Sequence, residues 1–456
     1  MIDDYILQKM ALLRRNWLCR VDPVVSQERV LLNLVRKSTK TAFGKEHDFT
    51  SIRTAHDFLQ RVKPRSYNDL SDSINAVFDG ERDVLFPGYP ECFALTSGTN
   101  GTPKRIPLTK QLLSSTQRGA VDAALFGGLL HGSMSWYRGK TLYIGPRKGY
   151  ALGSWTLFAE GTAFAYLQPF TGRFVPQYED LPEHFEEPDY WFFVDLARRN
   201  RIYTIAGNPI EISNFVNITG LVLPEVSIIF NCGYWAIDNQ HIFKSAFPKA
   251  TIVDVYSSNE GTFGLPWSPG EFLLNYARNF FSFVPVDNEL ECVTIDQVEL
   301  HQKYRLCVTT PGGLWNYITG DVISFKSVSP PLIRLHGRDC RILPLAGNWL
   351  TEDEIVAAVR KSQIFTTKYF LTPKSQGGSY YEGQQHSSGF KLWIEADEAD
   401  AIIIDRYLCE LCPAYARLRD SNQLAPLTVQ LISNWIPGHG KPARIRREVI
   451  DEAFHI

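Results

Sequence analysis

Over the first sixty positions apolar residues recur about every 3.6: Ile6, Met10 and Leu13, then Leu31, Leu34 and Val35. That spacing predicts helices burying one face. From about residue 90 the pattern changes. Short apolar runs (Cys92–Leu95, Thr141–Ile144, Arg201–Ala206, Val226–Asn231, Ala250–Tyr256) alternate with helical stretches. Strands separated by helices predict a mostly parallel, covered sheet reaching to about residue 330. Ligands of such sheets bind beyond the carboxyl ends of strands. The tail differs, with strand-like Phe390–Ala396 and Leu427–Ser433 flanking a helical Glu398–Cys412. A polar Gly337-Arg338-Asp339-Cys340-Arg341 after Pro330-Pro331 reads as a hinge. The expected fold is therefore α/β: a large N-terminal domain, residues 1–336, with mostly parallel or mixed sheets covered by helices. A small mobile C-terminal α+β domain, residues 337–456, follows.

Composition narrows the class without naming it. The chain has 456 residues, 44% hydrophobic and 21% charged, enough for two to four domains and a large core. Forty-seven Lys and Arg balance forty-nine Asp and Glu, which argues against nucleic acid or an anionic membrane as a partner. Met1-Ile2-Asp3-Asp4 opens acidic, and no apolar run approaches the ~18 residues of a membrane span, so neither a signal peptide nor membrane insertion is expected. Eight cysteines without disulfide-like pairing fit a cytoplasmic protein. Cys409-x2-Cys412 sits on an apolar helical stretch and reads as buried thiols, not a metal site.

The most informative segment is Thr96-Ser97-Gly98-Thr99-Asn100-Gly101-Thr102-Pro103-Lys104, directly after a strand-like run. Gly and Pro supply bends, while N–H groups and hydroxyls supply donors that converge on an anion. It is not a P-loop, since Arg105 stands where that motif closes with a hydroxyl. An ordinary Ser/Thr/Gly turn has the same composition. Three further motifs are weak singly. Tyr256-Ser257-Ser258-Asn259-Glu260-Gly261 follows a strand-like run and offers a ring and a carboxylate, though a helix-capping turn reads similarly. Tyr317-Ile318-Thr319-Gly320-Asp321 places a carboxylate suited to ribose hydroxyls. Gly438-His439-Gly440-Lys441-Pro442 sets a lysine on the tail, which otherwise reads as a solvated basic end.

In this order the four motifs resemble the adenylate-forming superfamily of acyl-CoA synthetases, adenylation domains and luciferases. They resemble more closely the acyl acid–amido synthetases of the auxin-responsive family. The loop matches the superfamily's phosphate-binding signature except at Asn100. The likeness extends to Thr41–Phe49, Tyr67–Leu70, Gly80–Leu85, Ile106–Thr109 and Glu260-Gly261-Thr262-Phe263-Gly264. It implies that Ser97, Gly98, Thr99 and Lys104 hold the β- and γ-phosphates of ATP, with Thr96 and Gly101 in the same loop. Tyr256 would pack on adenine, with Ser257 and Ser258 beside it, and Glu260 would coordinate Mg2+. Asp321 would take the ribose hydroxyls, helped by Arg338. Lys441 would bridge the carboxylate and the α-phosphate. Lys441, Lys104 and Glu260 are thus the expected catalytic residues. Asn259 and Cys340 depart from the usual pattern.

The implied reaction is ATP-dependent activation of a carboxylic acid as an acyl-adenylate, then transfer to an amine or amino acid to form an amide. It needs no nucleophilic side chain, in keeping with the lack of a Ser–His–Asp or Cys–His signature. An acyl-CoA ligase, which would add coenzyme A as a cofactor, or an acyl-protein synthetase shares the first step. A non-catalytic nucleotide- or acyl-binding protein is disfavoured by the joint presence of Lys104, Glu260, Asp321 and Lys441. Aromatic residues Trp136, Tyr137, Tyr143, Trp155, Phe158, Phe164, Tyr166, Phe170 and Phe174 point to an aromatic or apolar acid, although core packing uses the same residues. Arg138, Lys140, Arg147 and Lys148 among them form a solvated face or meet an acidic acceptor.

Overall fold

The computed structural model describes residues 2–446 apart from 97–103, 145–155, 159–173, 177–188, 232, 234–238, 288–290, 346–347, 367, 375–388 and 433–443. The apolar spacing of the opening residues becomes helices Ile2–Arg20, Pro23–Lys37, Ala42–Glu46 and Ala55–Arg61, with Tyr67–Phe78 after them. Their starts are written locally. Asp22 accepts from the N–H groups of Val24 and Val25 ahead of Pro23, and proline in the first turn sacrifices no helical hydrogen bond. Thr54 with Asp57, and Ser66 with Asp69, close capping boxes.

The alternating middle builds two sheets. In the first, β1 (Cys92–Thr96) runs antiparallel to β2 (Lys104–Leu108). The second comprises β3 (Lys140–Ile144), β5 (Phe174–Val175), β6 (Ile202–Gly207), β7 (Ile228–Asn231) and β8 (Thr251–Asp254), ordered β5-β3-β6-β7-β8 and parallel throughout. Between them in sequence, β4 (Thr156–Phe158) adds in parallel to β1. Helices Tyr190–Arg199, Pro209–Thr219 and Gln240–Ala246 supply the crossovers that parallel strands require. Leu142, Ile144, Ile205 and Ile229 are sealed with Phe193, Phe215 and Phe243. Gly207 ends β6 at φ +151°, where a Cβ would fall 2.4 Å from the Ile144 carbonyl oxygen. Only glycine fits there, and Asn208-Pro209 then starts the next helix, Asn208 capping Ile210 N–H.

The mostly parallel expectation holds through β8 and stops there. β9 (Tyr256–Ser258), β10 (Gly261–Ser268), β11 (Glu271–Leu274), β12 (Phe280–Pro285), β13 (Lys303–Thr309), β14 (Tyr317–Val328) and β15 (Pro331–Arg338) form a seven-stranded sheet, ordered β12-β13-β14-β15-β11-β10-β9. The β9–β10, β10–β11, β11–β15 and β12–β13 pairs are antiparallel. The cause is connection length. Asn259-Glu260 and Pro269-Gly270 are two-residue links, too short for a crossover. The chain divides by contact into two units. The first is Met1–Ala236, Ile242–Thr319 and Ile323–Arg334; the second is Ile237–His241, Gly320–Val322 and Leu335–Ile456.

Within the second unit, β16 (Leu343–Leu345) and β17 (Asn348–Leu350) form a hairpin ahead of helix Glu352–Lys361. β18 (Tyr369–Pro373), β19 (Phe390–Ile394) and β20 (Thr428–Leu431) form a three-stranded sheet, with β18–β19 antiparallel and β19–β20 parallel. Helices Ala401–Leu411 and Pro413–Asp420 lie between β19 and β20 in sequence. Cys412 is buried at the end of the first helix, and among the described residues no cluster of His, Cys, Asp and Glu could hold a metal ion. Among the same residues no helix is long and apolar enough to cross a membrane.

Among the described residues Trp315 is the largest fully buried side chain. Its ring meets Phe43, Phe49 and Phe58, and its indole N–H donates to the Leu85 carbonyl at 2.8 Å. Trp315→Ala is expected to cost roughly 3–5 kcal/mol, read as a fall in the urea unfolding midpoint. A loss under ~1 kcal/mol would mean that the cluster closes over the gap.

Candidate active site

Lys104 stands at the far stem of the expected phosphate loop. Thr96 and Lys104 form the last pair of the β1–β2 ladder; Ser97, Gly98, Thr99 and Gly101 lie outside the described residues. β2 sends neighbouring side chains to opposite faces. Arg105 packs over Phe78 and donates to Asn75 Oδ1. Lys104 Nζ lies 3.4 Å from the Tyr317 hydroxyl and 5.5 Å from the centre of the Tyr67 ring. The Tyr67 hydroxyl accepts from Arg105 N–H at 2.8 Å, and burial pushes its pKa up. The ammonium group is thus held between two aromatic residues contributed by segments some 250 positions apart. Both tyrosines were visible inside recognised motifs, but nothing in the spacing said that they converge on Lys104.

Tyr256, Ser257, Ser258 and Glu260 share one structure, the tight β9–β10 hairpin, and the helix-capping alternative does not hold. Tyr256 is 6% exposed, with its ring against Phe263 and Phe272. Ser257 and Ser258 are exposed, and Ser258 Oγ accepts from Glu260 N–H at 3.2 Å. Glu260 projects from the two-residue turn, partly exposed.

Just before this hairpin, the carboxyl ends of β7 and β8 hold a polar pair that the sequence reading passed over as strand termini. Asn231 is fully buried. Its Nδ2 donates to Asp254 Oδ1 at 2.6 Å and to the Gly233 carbonyl at 3.0 Å, while its Oδ1 has no hydrogen-bond donor. Burial raises the Asp254 pKa, and the bond from Asn231 opposes that shift. An unmet buried acceptor at the carboxyl end of a parallel strand suits a ligand N–H.

In the second unit Asp321 and Arg338 meet. Asp321 is 4% exposed, and Arg338 Nε lies 3.1 Å from its Oδ1. Gly320, at φ +82°, brings the backbone close beside the Arg338 guanidinium. Beyond this pair, His336 Nδ1 faces the buried Asp353 carboxylate at 3.0 Å. Lys441 lies outside the described residues, as do Trp155, Phe164, Tyr166 and Phe170. Tyr143 is buried, and the half-buried Trp136 packs edge-on against Phe230.

Two family matches coincide with these features. The GH3 family N-terminal domain matches residues 19–145, which include Lys104, and the GH3 family central domain matches residues 272–338, which include Asp321 and Arg338. Together these two GH3 domain matches cover less than half of the chain. No curated protein matches it by sequence. Among solved structures the chain is similar to AtGH3.15 acyl acid amido synthetase in complex with 2,4-DB. That match has a TM-score of 0.67 at 16% identity and covers 93% of this chain and 89% of that one. It is also similar to 2-hydroxyisobutyryl-CoA ligase in the postadenylation state with 2-HIB-AMP, at TM-score 0.59 and 14% identity, covering 92% and 88%. At such identities the likeness is one of fold.

The raised Asp254 pKa carries a sign. A folded-state value above the unfolded one contributes stability at low pH that is lost as pH rises through the folded value. Asp254→Asn keeps an acceptor for Asn231 and does not ionise. It is expected to be more stable than wild type at neutral pH, with the gain shrinking as pH falls toward the ordinary carboxylate range near 3.9. Thermal unfolding across pH checks this; equal midpoints at neutral pH would contradict it.

Proposed function

We propose that this chain is a GH3-type adenylate-forming ligase that activates a carboxylic acid with ATP and passes the acyl group to an amine, foremost an amino acid. The observation that carries the reading is Lys104. It closes a glycine-rich loop between β1 and β2 with its ammonium beside Tyr67 and Tyr317. The fold shared with the amido synthetase and with the ligase holding an acyl-AMP supports it. In the proposed first step a carboxylate oxygen bonds to the α-phosphorus. The bond to the β-bridging oxygen breaks, and pyrophosphate leaves with its electron pair. In the second step a neutral amine attacks the acyl carbon, AMP leaves, and the amine proton passes to water.

Two anions must be brought together, so the protein's work is positioning and charge neutralisation. Lys104 would meet the departing phosphates. Asp321 would accept the ribose hydroxyls, its carboxylate oriented by Arg338. Ser97, Gly98 and Thr99 would donate to phosphate oxygens, with Tyr256 and Asn231 on the side of the base. Lys441 would bridge the reacting carboxylate and the α-phosphate. Glu260 offers one carboxylate, with no ion pair found for it among the described residues. That fits Mg2+, which is commonly held by one or two carboxylates plus substrate phosphates. Magnesium supplies neutralisation of phosphate charge there.

A mixture of ATP, Mg2+, a panel of aryl and aliphatic acids, and either amino acids or coenzyme A distinguishes the outcomes by product mass. An amide with stoichiometric AMP is expected. A thioester formed instead would make the chain an acyl-CoA ligase, and ATP bound without acid-dependent AMP would leave a nucleotide-binding protein. Lys441→Ala is expected to cut AMP formation roughly 100- to 1,000-fold, leaving a residual rate, while ATP affinity stays near wild type. Unchanged turnover in that variant would remove Lys441 from the mechanism.

A further inference from the structure

The second unit holds a carboxylate that none of these steps uses. Glu352 opens the Glu352–Lys361 helix and is 1% exposed. The Arg444 backbone N–H donates to its Oε1 at 2.7 Å, the Arg338 backbone N–H also donates to the carboxylate, and the Arg341 guanidinium stands 3.7 Å away. Gly337, at φ +116°, lets the chain pass so close that a Cβ there would fall 2.8 Å from Oε2. Burial raises the Glu352 pKa against the pull of these donors.

Arg444 is fixed on its other sides as well. Its carbonyl accepts from Leu371 N–H at 2.8 Å, and Arg446 N–H returns to the Leu371 carbonyl at 2.9 Å, so the chain here lies along β18. Its guanidinium is buried over the Tyr369 ring and donates to the Tyr369 carbonyl at 3.2 Å. One carboxylate therefore holds both the residue that pairs with Asp321 and the third residue after Lys441.

We propose that Glu352 is a positioning residue for adenylation. By accepting from Arg338 and Arg444 together, it holds Arg444, the third residue after Lys441 in sequence, to the strand end that carries Arg338. The inference rests on the adenylation reading. It also explains why an acid is tolerated in so dry a place. Two carboxylate oxygens accept from two N–H groups and face a guanidinium, whereas glutamine has one oxygen and brings an NH2 group against a donor.

The test uses the full chain with Glu352→Gln, Glu352→Asp, Lys441→Ala and the Glu352→Gln/Lys441→Ala double variant. AMP affinity is measured by calorimetry, folding by thermal melting, and adenylation by acid-dependent exchange of labelled pyrophosphate into ATP. Glu352→Gln is expected to bind AMP within about twofold of wild type and to keep its KM for ATP. Its exchange kcat should fall roughly 10- to 100-fold, the scale of a misplacement near 1 Å. In the Lys441→Ala background the same change should remove nothing further. If Glu352→Gln does not fold, Glu352→Asp gives the same comparison. Wild-type kcat in either folded variant, additive losses in the double variant, or parallel loss of AMP affinity and melting temperature would overturn the proposal. No exchange by wild type with any acid would overturn the adenylation reading itself, and this inference with it.

Discussion

A carboxylate removed from water must be met by donors or protonated, and this requirement ties together the distant parts of each unit. In the first unit Asp122, on the Lys110–His131 helix, accepts from Arg14 and Arg278 at 2.7–3.0 Å, joining the opening helix to the segment before β12. In the second unit Asp321 is met by Arg338, Asp353 by His336, and Glu352 by Arg341 and two backbone N–H groups. Each acid is buried and each donor set comes from another segment. Loss of one partner therefore exposes the other to an uncompensated burial cost, usually larger than the net gain from the intact pair.

The same physics bears on the proposed chemistry. Bringing a substrate carboxylate to a polyphosphate opposes like charges, and in a dry site that repulsion is far stronger than in water. In the proposed reading Lys104, Lys441, the Asp321–Arg338 pair and the partly exposed Glu260 would meet it. No side chain needs to become a covalent intermediate. The aromatic environment of Lys104 suits this task, because two tyrosines restrict the ammonium.

Much of the fold could be read from local signals. Helix caps at Asp22, Thr54 and Ser66, the β1 run before the loop, and the Gly207-Asn208-Pro209 junction are decided by neighbours in sequence, so residue type and spacing suffice. The antiparallel sheet from Tyr256 to Arg338 was harder. Its strands look as apolar as parallel ones, and only the short links Asn259-Glu260 and Pro269-Gly270 betray the reversal. At the candidate site, Lys104, Glu260, Asp321 and Arg338 were marked by motif. The convergence of Tyr67 and Tyr317 on Lys104, and the Asn231–Asp254 and Glu352–Arg444 contacts, were not. These are meetings of residues 23 to 213 positions apart, and a sequence carries their chemistry without their distance.

Central to this account is formation of an acyl-adenylate. The direct measurement is incorporation of labelled pyrophosphate into ATP by the full-length protein with Mg2+, with and without a panel of carboxylic acids and with no acceptor present. The account predicts exchange that depends on the acid and is lost in Lys104→Ala. ATP binding without exchange for any acid, or exchange indifferent to added acid, would contradict it.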